Sequence, residues 1–184
     1  MAIELIPMQN AENPVLTVLK NAVQMEIEGK EFFENAAARM KHPRAKDMFT
    51  SLVKQEQRHV DVLTAEYSRI SDGKSWAPLE EMKSTASSYP RLSVFQDGDI
   101  KRAIKVRPDA GELEVLKIGI EVEQKSIEYY RNAGSASDDA KAREVFNWLV
   151  GEEAGHLTIL NAEYDNRARS GYYYDNMEFS LEVM

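Results

Sequence analysis

The chain has 184 residues, 43% of them hydrophobic and 29% charged, with a formal net charge of −8 and no cysteine. This length and apolar content suffice for one domain with a full core, and a chain without cysteine has no disulfides, thiolate metal sites or cysteine nucleophile. The negative charge argues against nucleic acid as a partner, and the sequence shows neither an apolar run near 18 residues nor a basic-then-apolar leader, so we expect no membrane contact and a cytoplasmic location.

The first half of the chain carries the end signals of two long helices. Asn13-Pro14 is typical of an N-cap followed by the first helical residue, and it begins a predicted helix that runs to about Met40. Pro43 begins a second helix, which Asp72-Gly73 ends. Only a few residues join the two helices, so they are predicted to form an antiparallel hairpin.

The second half repeats this arrangement. Asp109 and Glu112 form a capping-box pattern at the start of a third long helix, and Gly134 indicates its end. Ser137-Asp138-Asp139 caps a fourth helix, with acidic residues in the first turn where the helix dipole favours them, and it fades near Ser170-Gly171. The second pair of helices is therefore also predicted to be a hairpin.

The connection between the hairpins is long and contains three prolines. A helix of about 25 residues is about 38 Å long, and a connection of this length could cross from one end of a bundle to the other. The sequence thus predicts an all-α, ferritin-like four-helix bundle of two antiparallel hairpins with a long crossover between the second and third long helices. The predicted single domain covers 1–184, with helical repeats at 14–73 and 109–170, the crossover at 74–108 and an aromatic-rich tail at 171–184.

The two hairpins also repeat in sequence. Residues 16–67 align with residues 113–164 without a gap, at an offset of 97, and 18 of the 52 positions are identical. A gapless repeat of this length indicates one helical hairpin used twice. Among the polar residues that both copies retain are three pairs: Glu26 and Glu123, Glu56 and Glu153, and His59 and His156.

These polar residues are candidate metal ligands. Each Glu-x-x-His motif places its two side chains on one helix face, because residues i and i+3 are neighbours there. The face is otherwise apolar, as around Glu123: Leu113, Leu116, Ile120, Ile127 and Tyr130. A carboxylate in the middle of an apolar stripe is costly unless something compensates for its desolvation. The alternative is that the pairs are surface contacts worth a few tenths of a kcal/mol.

The donor set indicates the class of metal. Four carboxylates and two imidazoles from a bundle core are the ligand set of ferritin-like di-iron and di-manganese proteins. Their four negative charges balance two divalent cations. Mixed carboxylate and imidazole ligands suit iron or manganese better than magnesium or structural zinc.

Two aromatic residues and the remaining histidine are further possible site residues. Phe33 and Tyr130 follow Glu26 and Glu123 at the same spacing of seven residues. A buried ring at this spacing most often belongs to the core, and only Tyr130 could also hydrogen-bond a ligand or donate an electron. Tyr130 is therefore the candidate catalytic residue, whereas His42 is expected to be a loop histidine.

These motifs resemble the rubrerythrin branch of the ferritin-like superfamily, over roughly residues 14–170. The motifs that carry the resemblance are Glu26-x-x-Gly29-x-x-Phe32-Phe33, Glu56-x-x-His59, Glu123-x-x-Ser126-x-x-Tyr129-Tyr130 and Glu153-x-x-His156. The resemblance implies two iron ions, with manganese or a mixed pair as alternatives. It also implies a role for each ligand: bridging for Glu56 and Glu153, terminal for Glu26 and Glu123, with His59 and His156 on separate ions.

The resemblance also implies an oxidoreductase. Family members typically reduce hydrogen peroxide or oxidise ferrous iron at this site, and we expect peroxide reduction. A ferroxidase that uses oxygen is the nearest alternative, and a non-catalytic metal-binding or structural bundle is an alternative of another class. Rubrerythrins proper carry a rubredoxin module with four cysteines, so this chain looks like the short group and needs an external electron donor. Ser126 stands where many rubrerythrins have an additional carboxylate.

The assembly we expect is a homodimer. The tyrosine-rich tail and the long crossover offer apolar surface beyond what one bundle can cover. A long connection between hairpins also permits their exchange between chains, and the six ligands could then come from two chains.

Overall fold

A computed structural model describes residues 13–85, 104 and 106–170. The regular structure of these residues consists of α1 (Pro14–Arg39), α2 (Pro43–Ser71), α3 (Leu79–Thr85), α4 (Glu112–Ala136) and α5 (Ala140–Ser170). The four predicted long helices are α1, α2, α4 and α5. The short helix α3 lies at the start of the crossover.

The ends of α1 and α2 lie where the sequence predicted them. The Asn13 side chain accepts a hydrogen bond from the backbone N–H of Val15 at 3.0 Å, as an N-cap does. His42 is a loop histidine as expected, and its Nδ1 accepts from the backbone N–H of Arg44 at 3.2 Å to cap α2. Gly73 has a φ of 75°, in the left-handed region that favours glycine after a helix end.

The predicted capping box at the start of α4 is wrong. The N-cap is Gly111, which has no side chain to accept a hydrogen bond, and Asp109 lies outside the helix. Glu112 instead binds the other hairpin and the end of α5. Its carboxylate accepts from the backbone N–H of Lys41 at 2.8 Å and from the Arg167 guanidinium. These tertiary contacts replace the local bond of a capping box.

Gly134 does not end α4, which continues for two more residues. A Cβ at this position would lie 3.4 Å from the Cβ of Phe146, so the glycine permits close packing between α4 and α5. The predicted cap of α5 is confirmed, because the Asp139 carboxylate accepts from the backbone N–H groups of Lys141 and Ala142, at 2.8 and 3.2 Å. The predicted acidic residues in its first turn are wrong, because the acidic residues precede the helix, which begins at Ala140.

The helices pack as two hairpins. α1 packs along α2 and α4 along α5, and the hairpins meet through α1 with α4 and α2 with α5, while α3 lies against α2 and α5. The predicted all-α ferritin-like bundle is confirmed. Among the described residues, no helix is long and apolar enough to cross a membrane. The predicted packing of the 171–184 tail falls outside the described residues, and the homodimer stays a prediction.

The core consists of two apolar clusters, one near each end of the bundle. One cluster includes Leu19, Leu63, Tyr130 and Leu149, together with Trp76 and Met82 from the start of the crossover. The other includes Phe33, Phe49, Leu116 and Leu160. In each long helix the predicted ligands lie between the residues of one cluster and those of the other. Leu113, expected on the core face, is instead 38% exposed because it lies at the first turn of α4.

Candidate metal centre

All six predicted ligands lie in one buried layer between the two apolar clusters. None is more than 3% exposed: Glu26 on α1, Glu56 and His59 on α2, Glu123 on α4, and Glu153 and His156 on α5. The structure therefore brings the six side chains together within a single chain. Residues 97 positions apart in the repeat face each other across the bundle.

The six side chains form two overlapping groups, each with three carboxylates and one imidazole. One group is Glu26, Glu56, His59 and Glu153, and the other is Glu56, Glu123, Glu153 and His156. Within each group, one candidate ligand atom from every residue lies within 4.8 Å of the others. Glu56 and Glu153 belong to both groups, so the two positions share two carboxylates.

The shared carboxylates direct one oxygen towards each histidine. Glu56 has Oε2 3.6 Å from Nδ1 of His59 and Oε1 3.0 Å from Nδ1 of His156. Glu153 has Oε1 3.2 Å from Nδ1 of His59 and Oε2 3.0 Å from Nδ1 of His156. Each of the two shared carboxylates therefore faces both histidines.

The other two carboxylates each face one histidine. Glu26 Oε2 lies 3.3 Å from Nδ1 of His59, and Glu123 Oε1 lies 3.5 Å from Nδ1 of His156. Each position thus has one carboxylate of its own, one imidazole and the two shared carboxylates. Both imidazoles present Nδ1 to the carboxylates, and their rings stack with centroids 5.6 Å apart.

The hydrogen bonding of the layer fits a pair of metal ions. Seven buried atoms of these side chains have no hydrogen-bond partner: Glu56 Oε1, His59 Nε2, Glu123 Oε1, both carboxylate oxygens of Glu153, and both ring nitrogens of His156. Such groups are rare in folded proteins, because an unpaired buried polar atom costs about 1–3 kcal/mol. Several of these atoms lie 3.0 to 3.5 Å apart without hydrogen-bond geometry. Donor atoms that point at one common position lie close together in this way without forming hydrogen bonds to one another.

Both histidines of the layer have a raised pKa in the metal-free protein. Burial alone would lower the pKa of His59, but contacts with Glu152, Glu153, Glu26 and Glu56 raise it well above its ordinary value. In the same way, contacts with carboxylates outweigh burial and raise the pKa of His156 to about 12. Both imidazoles are therefore cationic in the metal-free protein at neutral pH.

The four carboxyl groups divide into two kinds. Burial, and then repulsion by neighbouring carboxylates, raises the pKa of Glu26 well above its ordinary value. Burial likewise raises the pKa of Glu123, against an opposing contact with His156. Burial would also raise the pKa of Glu56 and Glu153, but contacts that include both histidines lower it. In the metal-free layer the shared carboxylates therefore ionise more readily than Glu26 and Glu123 do.

Tyr130 is part of this layer. It is fully buried, and its hydroxyl donates a hydrogen bond to Oε1 of Glu26. Its ring stacks on Phe146 with centroids 6.2 Å apart. Its counterpart Phe33 is also buried, and the ring centroids of Phe33 and Phe49 lie 5.9 Å apart, but Phe33 has no hydroxyl. Only one of the two hairpins therefore supplies an aromatic hydrogen-bond donor to the layer.

Sequence reasoning missed a further carboxylate next to the layer. Glu152 Oε2 lies 3.8 Å from Nε2 of His59, and Oε1 accepts a hydrogen bond from the indole N–H of Trp148 at 3.1 Å. The Trp148 ring lies edge-on to the His59 ring, with centroids 5.6 Å apart. The signal in the sequence was the i, i+4 spacing of Trp148 and Glu152, directly before the predicted ligand Glu153.

Comparison with known proteins agrees with this architecture. The sequence model of the rubrerythrin family matches residues 17–164. A hypothetical protein from Pyrococcus furiosus has a similar structure, with a TM-score of 0.65 and 19% sequence identity, over 86% of this chain and 93% of that chain. At that identity the likeness concerns the fold alone. No curated protein matches the chain. Because the family match covers most of its length, the chain belongs to the rubrerythrin family.

Proposed function

We propose that the protein binds two transition-metal ions in the buried layer and reduces hydrogen peroxide. The proposed ligands are Glu26, Glu56, His59, Glu123, Glu153 and His156. The observation that carries the proposal is that Glu56 and Glu153 each direct one oxygen towards His59 and the other towards His156. Two carboxylates in this arrangement are suited to bridging two ions.

The donor atoms favour iron, with manganese or a mixed pair as alternatives. Carboxylate and imidazole donors in a bundle core suit these metals. Four carboxylates have the charge needed to neutralise two divalent cations, so a loaded site would add no net charge to the core. An uncompensated charge at this depth would be costly.

Two reduced ions held there would supply the two electrons that, with two protons, convert one molecule of hydrogen peroxide into two of water. The residues of the chain supply the surroundings for this reaction. The apolar clusters on either side of the layer limit the entry of bulk water. Tyr130 holds Glu26 in place through its hydrogen bond. Each turnover consumes two electrons, so an external electron donor would have to reduce the ions again.

The choice of peroxide is supported by membership of the rubrerythrin family, whose members typically reduce it. The geometry supports a dinuclear centre and is equally compatible with a ferroxidase, which would use the same six ligands with oxygen as the oxidant. A bundle that binds metal without turning over is the alternative of another class. The three possible functions differ in whether peroxide, oxygen or neither oxidises the reduced protein.

The test is stopped-flow mixing of the anaerobic, Fe(II)-loaded protein with hydrogen peroxide and, separately, with oxygen. We expect much faster oxidation by peroxide, followed as the rise of near-ultraviolet absorption that accompanies formation of Fe(III). Preference for oxygen would identify a ferroxidase, and inertness to both would leave a binding protein.

Two variants make this experiment specific to the site. Glu123→Ala removes one proposed ligand and is expected to lose the fast phase. Glu144→Gln removes an exposed carboxylate from α5 and serves as the matched control, with an unchanged rate. Equal rates for wild type and Glu123→Ala would place the reaction elsewhere in the protein.

A further inference from the structure

The two halves of the buried layer differ in the residues behind the proposed ligands. In the internal repeat, Glu152 corresponds to Gln55, and Trp148 corresponds to Ser51. Both copies retain a hydrogen bond between these positions: Trp148 donates to Glu152 at 3.1 Å, and the Gln55 amide donates to the Ser51 backbone carbonyl at 3.4 Å. The second copy thus has a carboxylate where the first has a neutral amide, and the hydrogen bonds differ in direction, because Glu152 accepts whereas Gln55 donates.

The Glu152 carboxylate of the second copy faces Nε2 of His59, the ring nitrogen that does not face the proposed ligands. Glu152 Oε2 lies 3.8 Å from Nε2 of His59, and Nε2 has no hydrogen-bond partner. That separation is longer than a hydrogen bond but within the range of a charge contact. The Trp148 N–H holds the other oxygen of Glu152, so the carboxylate is fixed beside the imidazole.

The contact has a consequence for metal binding. An imidazole that binds a metal ion through Nδ1 carries its proton on Nε2. A carboxylate that accepts from this N–H orients the ring and makes it a stronger donor. His59 has Glu152 in this place. Nε2 of His156 likewise has no hydrogen-bond partner, and the contacts of His156 with carboxylates of the described residues all involve Nδ1.

The carboxylate on the same side of the layer is also better supported. Glu26 accepts a hydrogen bond from the Tyr130 hydroxyl. The repeat counterpart of Tyr130 is Phe33, and a phenyl ring cannot donate such a bond to Glu123. Both differences between the copies fix the ligands of the position formed by Glu26 and His59.

We propose that the Glu26 and His59 position binds a divalent transition-metal ion more tightly than the Glu123 and His156 position, and that Glu152 is the positioning residue responsible. This inference rests on the proposed metal site and adds an order of filling to it. The tight position is occupied first, and the second ion completes the pair.

The experiment measures Co(II) binding to metal-free protein by titration calorimetry, in two variants that each leave one position intact. Glu123→Ala leaves the Glu26 and His59 position, and Glu26→Ala leaves the other. Because each variant holds one ion, repulsion between two ions does not affect the comparison. We expect Glu123→Ala to bind Co(II) about 10-fold more tightly than Glu26→Ala, the lower end of the effect of a carboxylate behind a histidine ligand.

Exchange of the repeat residues then tests Glu152 itself. Glu152→Gln, added to Glu123→Ala, is expected to weaken Co(II) binding about 10-fold and to change the visible spectrum of the bound Co(II). Gln55→Glu, added to Glu26→Ala, is expected to strengthen binding. Glu144→Gln is the control for loss of one charge from α5, with no change expected. Circular dichroism confirms that each variant is helical, and Glu26→Gln replaces Glu26→Ala if the latter fails to fold.

Equal affinities in the two single-position variants would overturn the inference, as would an unchanged affinity and spectrum after Glu152→Gln. If either result is obtained but the wild-type protein still binds two ions, the proposed function remains intact. Wild-type protein that binds no Co(II), Fe(II) or Mn(II) would overturn both.

Discussion

Tyr130 on α4 donates a hydrogen bond to Glu26 on α1, so one hairpin holds a proposed metal ligand of the other. Both residues are buried, and desolvation raises the pKa of each, so the contact forms between groups that resist ionisation. In the same layer, His59 contacts Glu153 and His156 contacts Glu56 across the two hairpins. The bond therefore links the geometry of the candidate site to the packing of the bundle.

Tyr130→Phe is expected to destabilise the metal-free protein. The substitution keeps the ring, but it leaves a buried oxygen of Glu26 without its donor, at a cost of about 1–3 kcal/mol. Urea unfolding measures the loss. Tyr129→Phe is the matched control, because the Tyr129 hydroxyl donates to the backbone carbonyl of Val18 in a half-buried position and its loss is expected to cost less. A smaller effect for Tyr130→Phe than for its neighbour would contradict this role.

Glu123→Ala is expected to give a folded protein with less bound metal. The change removes one ligand, but it also removes a buried carboxyl group whose desolvation is costly, and such replacements can be neutral or stabilising. Metal content per chain and far-ultraviolet circular dichroism test the two halves of the prediction. Loss of helix in the variant would indicate that Glu123 has a structural role instead.

Much of the fold and the candidate ligands could be predicted from the sequence because the hairpin is repeated. The matched positions of Glu56 and Glu153 within apolar stripes identify buried carboxylates without knowledge of the packing. The end of α1 and the start of α2 were also predictable, because caps are local interactions.

Features that depend on tertiary contacts were not predictable in this way. Glu112 has the pattern of a capping residue, but it binds Lys41 and Arg167 from distant parts of the chain. Gly134 has the pattern of a helix end, but its small size serves contact with Phe146. Glu152 corresponds to Gln55 in the first copy of the repeat, so a search for identical residues passes over it.

Metal binding at neutral pH is expected to release protons. Four groups have raised pKa values in the metal-free protein: Glu26, Glu123, His59 and His156. Each must lose its proton to bind a metal ion, so affinity should increase with pH. Titration of Fe(II) into weakly buffered anaerobic protein should release protons, and the number released per ion should fall as pH rises. Release of none would mean that the ions bind at other residues.

The stability of the metal-free protein should depend on pH in the opposite direction. At the four groups with raised pKa values, the folded protein binds more protons than the unfolded chain, so its free energy of unfolding falls as pH rises. The fall begins above the ordinary carboxyl pKa of 4.5, continues through the ordinary histidine pKa of 6.5, and ends near the folded pKa of His156, about 12. Thermal unfolding between about pH 6 and 9 measures it. A rise in melting temperature over this range would contradict the assigned protonation.

The most direct test of the shared site is a crystal structure of the Fe(II)- or Mn(II)-loaded protein, with anomalous scattering measured at the metal edge. We expect two anomalous peaks in each chain, one beside His59 and one beside His156, with Glu56 and Glu153 each bound to both ions. A single peak, or two ions that do not share these carboxylates, would contradict the account.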